Sequence, residues 1–214
     1  MIAPTYDALK RVIEEKGYVW FSGSKPFDLN IVGIRNLNAV NAFDDTICVA
    51  YLDIEKRKRI IHFPATTDPG LFYLKNPMNA SGTAILKEGQ YRGAYRLGKH
   101  KGYTALVQVK PVSVYRDVNK DGKYDFNGKI DTGLFGIDIH RALEFDIAKT
   151  VDKFSAGCQV IQSPDDFAYL IALVKRQKQF LGTDIVTYTL VLENSFAINR
   201  QWQYGNYCLP KLNT

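Results

Sequence analysis

Gly133-Leu-Phe-Gly-Ile-Asp-Ile-His140 and Phe154-Ser-Ala-Gly-Cys158-Gln-Val-Ile161 are the two segments on which the reading of this chain turns. The first is a strand-like run that ends on a histidine. The second sets a cysteine after two small residues and before an apolar strand. Small residues on the N-terminal side of a nucleophile let the backbone turn tightly and approach a substrate closely. Backbone N–H groups at such a turn can receive a developing oxyanion, often a large term in acyl transfer. A thiol is only slightly ionised near neutrality, and a neighbouring imidazole can activate it.

Around these segments the signals are β. Tyr and Phe are abundant, at 13 and 12 residues, which favours strands. Runs rich in Val, Ile, Tyr and Phe are expected as strands at Tyr18 to Phe21, Asn30 to Ile34, Thr46 to Leu52, Arg59 to Phe63, Thr83 to Leu86, Tyr103 to Val109, Val112 to Tyr115 and Ile185 to Leu192. Residues 5–16 read as an amphipathic helix with Leu9, Val12 and Ile13 on one face and Gly17 as its C-cap. A longer helix opens at Ser163-Pro164-Asp165-Asp166, where Ser163 caps and the acids complement the helix dipole. Phe167, Leu170, Ile171 and Val174 form its buried stripe. No repeat or Pro/Gly/Ser linker divides the chain. A single domain over 1–214 is expected: an N-terminal helix (1–17), a β core carrying the two segments (18–162), and a helix, strand and tail (163–214).

Other candidates follow from residue type and spacing. Cys48 sits in an apolar run and reads as a buried hydrophobe; Cys208, near the C-terminus, is uninformative. The three cysteines fit no zinc or redox spacing. His100 in Gly98-Lys-His-Lys-Gly-Tyr103 reads either as a cleft residue or as a solvated turn, and His62 in its apolar run as structural. Asp117, Asn119, Asp121 and Asp125, with Gly122, follow the start of an EF-hand loop, but Gly128 stands where the closing Glu belongs. The loop is therefore read either as a structural calcium site or as a plain Asx/Gly-rich hairpin connection. The net charge of +6 is scattered rather than striped, so no nucleic-acid partner is expected. The run Glu55 to Arg59 reads as a solvated hairpin tip. No apolar run approaches the length of a membrane span.

The two segments together resemble the catalytic motif of the L,D-transpeptidase (YkuD-like) family: a histidine, a gap of 14 residues, then Ser155-Ala156-Gly157-Cys158. The Gly136-x-x-x-His140 approach is similar to the family's strand end. The resemblance implies a mainly-β (α+β) fold, a YkuD-like sandwich or barrel with an N-terminal helix and one longer C-terminal helix. It also implies Cys158 as nucleophile, His140 as general base, Ser155, Ala156 and Gly157 as the oxyanion turn, and the N–H groups of Gly157 and Cys158, with Ala156 as a further candidate, as the oxyanion donors. The activity implied is acyl transfer on peptidoglycan stem peptides, as transpeptidase, carboxypeptidase or endopeptidase, with no cofactor required. The family's histidine before the glycine is Ala156 here, and its arginine beyond the cysteine is absent, with Gln159 and Val160 in its place. Arg141, Arg35, Gln159 and His100 are the candidates to bind the substrate in its stead. The expected place of action is the cell wall or periplasm. No signal peptide is visible, which is compatible with a phage enzyme carried in the virion, among virion proteins, or released on lysis. The competing expectation is a non-catalytic wall-binding or structural virion module that keeps the fold. Papain-like hydrolases place the nucleophile before the histidine, the opposite order.

Overall fold

The computed structural model describes residues 1–23 and 25–199; Cys208 lies outside them. Strands dominate. Eight of them close a barrel in the order β1 (Asn30–Arg35), β11 (Ile185–Leu192), β5 (Gly89–His100), β6 (Tyr103–Gln108), β9 (Ile139–Arg141), β10 (Gln159–Ile161), β3 (Lys58–Thr66) and β2 (Asp45–Leu52). A separate sheet has the order β4 (Thr83–Leu86), β7 (Val112–Asp117), β8 (Ile130–Gly133). The helices are α1 (Tyr6–Glu15), α2 (Leu71–Lys75) and α3 (Pro164–Leu181), with a 3-10 turn at Glu193–Asn199.

Period-two alternation explains how the barrel is covered. On β2, Ile47, Val49 and Tyr51 join the main core, while Cys48 and Ala50 face the other way into a second cluster. On β1, Ile31 belongs to the first set, and Val32 and Ile34 to the second. The second cluster is completed by Tyr6, Leu9 and Ile13 of α1, so that helix seals one outer wall of the barrel. Thr5 starts α1 by accepting the Ala8 N–H at 3.2 Å. The main core takes in Phe167, Leu170, Ile171 and Val174 of α3, the stripe legible from sequence. Ser163 accepts the Asp166 N–H at 3.4 Å, and Gly182 ends α3 in the left-handed conformation at φ 79°.

The expected strand at Tyr18 to Phe21 is not one. Its backbone groups are taken by side chains: Val19 N–H by Gln90 at 3.0 Å and Phe21 N–H by Asn30 at 2.8 Å. Conversely, β5 runs for 12 residues through a stretch of glycines and cations that carries no apolar alternation. Its pairing with β11 and β6 holds it. That places His100 at the last rung of the β5–β6 hairpin, opposite Tyr103 and just before the turn at Lys101-Gly102.

Candidate active site

The parallel pair β9–β10 builds the site. Val160 lies opposite His140 and Gln159 opposite Ile139, with the Gln159 N–H donating to the Asp138 carbonyl at 2.9 Å. Cys158 is two residues before Val160, so its side chain falls on the same face as that of His140. Both line a cleft of about 580 Å3, closed on another side by Thr83 and Ala84 of the three-stranded sheet.

The cysteine turn is fixed by Ser155, which is fully buried. Its Oγ donates to the Cys158 carbonyl at 2.8 Å and accepts the Gly157 N–H at 3.1 Å. Gly157 has φ +126°, and a Cβ there would stand 2.4 Å from the Ala84 carbonyl oxygen. Only glycine fits. The Gly157 N–H is thus committed to Ser155 and is not available to an oxyanion, contrary to the expectation for that residue. The Cys158 N–H is engaged by no hydrogen bond among the described residues and is the remaining donor beside the sulfur.

Cys158 is half-buried, and its Sγ lies 3.5 Å from the Gly136 carbonyl. Burial pushes its thiol up to about 12, against a smaller downward pull from the Asp138 N–H. His140 is 4% exposed, and its Nδ1 meets the Arg141 carbonyl at 2.7 Å. That contact requires the proton on Nδ1 and leaves Nε2 as the acceptor, the tautomer a general base needs. Burial, helped by the neighbouring His100, brings His140 down to about 4. Both shifts favour the neutral forms, a thiol and an uncharged imidazole.

His100 does line this cleft. Its ring stacks on His140 with centroids 4.2 Å apart and planes 12° apart, and its Nδ1 meets Asp138 Oδ2 at 2.9 Å. Sequence reading passed over Asp138, although it lies two residues before His140 on alternating strand positions and so shares its face.

The other substrate-binding candidates are placed elsewhere. Arg35 is fully buried, bonded to Thr67 and paired with Asp68 at 3.0 Å and Glu88 at 3.2 Å, so it has no free edge for a substrate carboxylate. Gln159 is also fully buried. Its amide donates to the Thr67 and Gly157 carbonyls, each at 3.3 Å, and accepts the Tyr188 hydroxyl at 2.7 Å. Strand alternation turns Gln159 into the barrel because Cys158 faces out. Arg141 pairs with Glu144 at 3.2 Å and covers the Tyr103 ring, and it is not among the cleft residues. The cations that do line the cleft are Lys101, Arg116 and Lys153; no Asp or Glu is among its described lining residues.

In the 117–128 loop most of the candidate oxygens accept backbone N–H groups, while Asp117 Oδ1 is buried with no hydrogen-bond partner among the described residues. Asn119 accepts the Asp121 N–H, Asp121 that of Lys123, and Asp125 that of Asn127, a chain of Asx turns. Asp117 accepts the Asp125 N–H at 3.3 Å. Among the described residues, no group of three or more His, Cys, Asp or Glu side chains is placed to hold a metal.

No protein-family model, curated protein or solved structure matches the chain.

Proposed function

We propose that this protein is a cysteine acyltransferase or peptidase of the L,D-transpeptidase type, acting on peptidoglycan stem peptides in the cell wall. The observation that carries the reading is the shared face of Cys158 and His140, with the imidazole tautomer set by the Arg141 carbonyl. Cys158 attacks the carbonyl of the scissile bond as its proton passes to His140 Nε2. The sulfur–carbon bond forms, the carbon–nitrogen bond breaks, and the departing amine takes a proton. Water or a second amine then releases the thioester. The Cys158 N–H receives the oxyanion, with Ser155 and Gly157 holding the turn rather than donating.

The cationic lining supports a carboxylate-bearing peptide as acyl donor, with Lys101 and Lys153 in the role the family gives to its arginine. The experiment is mass spectrometry of muropeptides after incubation with the protein and with Cys158→Ala. New cross-linked or trimmed stems with the first and none with the second are expected. Unchanged muropeptides in both would overturn the reading and leave a wall-binding or structural virion module, which has no need of a thiol that accepts acyl groups.

A further inference from the structure

His100 is not used by the mechanism above, yet it is built like an acid–base group. Its Nδ1 is tied to a carboxylate, Asp138 Oδ2 at 2.9 Å. Asp138 is itself held by the Gln108 N–H, which donates to its other oxygen at 2.9 Å. The opposite ring nitrogen, Nε2, is buried and has no hydrogen-bond partner among the described residues. A buried polar atom without a partner is uncommon and calls for an explanation. Here the residue that carries it lines the cleft together with Cys158.

The stacked rings divide the work. His140 has a neutral carbonyl on Nδ1, and His100 has a carboxylate. The carboxylate gives His100, and not His140, a counter-charge for a proton passing through its ring. With centroids 4.2 Å apart, two charged rings would repel strongly, so the stable states of the cycle hold one extra proton on the stack.

Resting on the acyl-transfer reading, we propose that His100 is a second catalytic residue, which serves the leaving and entering nucleophiles while His140 serves the sulfur. In acylation the thiol proton moves to His140 Nε2 and sulfur bonds to the carbonyl carbon. The carbon–nitrogen bond breaks, and the departing amine takes its proton from His100 Nε2. The extra proton has then passed from His100 to His140. In deacylation the entering water or amine gives a proton to His100 and bonds to the carbonyl carbon. The carbon–sulfur bond breaks, and the departing sulfur recovers its proton from His140. The cycle closes with the charge back on His100 beside Asp138, and the resting protein and the thioester each carry one extra proton on the stack.

The test offers the full chain one blocked stem-tripeptide acyl group in two forms, an aryl ester and a D-alanine amide. Thioester formation on Cys158 is followed by intact-mass spectrometry. An aryloxide can leave without a proton and an amine cannot, so only the amide depends on His100 Nε2. His100→Gln should acylate from the ester within about 3-fold of wild type, and from the amide at least about 100-fold more slowly. Asp138→Asn should show the same bias at smaller size, and it carries the comparison if His100→Gln does not fold. His140→Ala should lose both reactions. Equal losses from the two donors in both variants, or no loss from the amide, would overturn the role of His100 and leave Cys158 and His140 standing. A wild-type protein that takes neither donor would overturn the acyl-transfer reading, and this inference with it.

Discussion

Cys158 and His140 are matched by burial rather than by charge. A thiol raised to about 12 beside an imidazole lowered to about 4 favours the neutral form of both groups. Alkylation of Cys158 by iodoacetamide should therefore be slow at neutral pH and still be rising well above pH 8.5, the ordinary thiol value. Peptide mapping against pH measures this, and a rate already at plateau by pH 6 would show a resting thiolate–imidazolium pair instead. Cys48, fully buried and also pushed up by burial, should label more slowly still. Gly157 is the sharper genetic probe. Gly157→Ala meets the Ala84 carbonyl at 2.4 Å in a backbone region that side chains avoid, so strain of about 1–3 kcal/mol is expected, together with loss of activity. A fully active Gly157→Ala would mean that the turn is not built as described.

At the scale of elements, legibility tracks local periodicity. Strand β11 and helix α3, with its Ser163 cap, stand where their sequence pattern puts them, because alternation and capping are local signals. Strand β5 carries no such signal and exists through its partners, so the place of His100 beside His140 was not legible from its own neighbourhood. The facing of Gln159 could have been read. Once Cys158 faces the cleft, its neighbour on the strand must face the barrel, and it stitches β10 to β3 and β11 there. Gln159→Leu keeps the volume but leaves the Tyr188 hydroxyl and the buried Gly157 carbonyl short of a partner, while the Thr67 carbonyl keeps Arg35. The expected loss is about 2–4 kcal/mol of stability by denaturant unfolding, from two buried groups left unsatisfied. A variant as stable as wild type would mean that those bonds contribute nothing net.

At the scale of the whole molecule, the barrel encloses charge that its helices do not explain. Arg35, Asp45 and Asp68 are buried together near the ends of β1, β2 and β3, and the half-buried Glu88 reaches in to Arg35. Asp45 takes three donors, the N–H groups of Asn36 and Thr67 and the Thr67 hydroxyl, and Thr67 in turn meets Arg35 and Gln159. The cluster thus lies one residue away from the cysteine turn. One guanidinium cannot compensate every carboxylate, and burial raises Asp68 from 3.8 to about 6 despite Arg35. Asp45 is raised too, by burial and then by Asp68. For an acid whose folded value lies above its unfolded one, the native state binds more protons across that window, so stability falls as pH rises through it. The Asp68 contribution is complete below about pH 4 and is lost by about pH 7, amounting to at most about 3 kcal/mol. Asp68→Asn retains an oxygen for Arg35 and cannot ionise. The melting temperature of wild type relative to Asp68→Asn should therefore fall by several degrees between pH 4 and 7, as scanning calorimetry of both proteins in matched buffers would record. A relative melting temperature that climbs over that range would mean that Arg35 outweighs burial, with Asp68 fully ionised in a conventional buried ion pair beneath the cysteine turn.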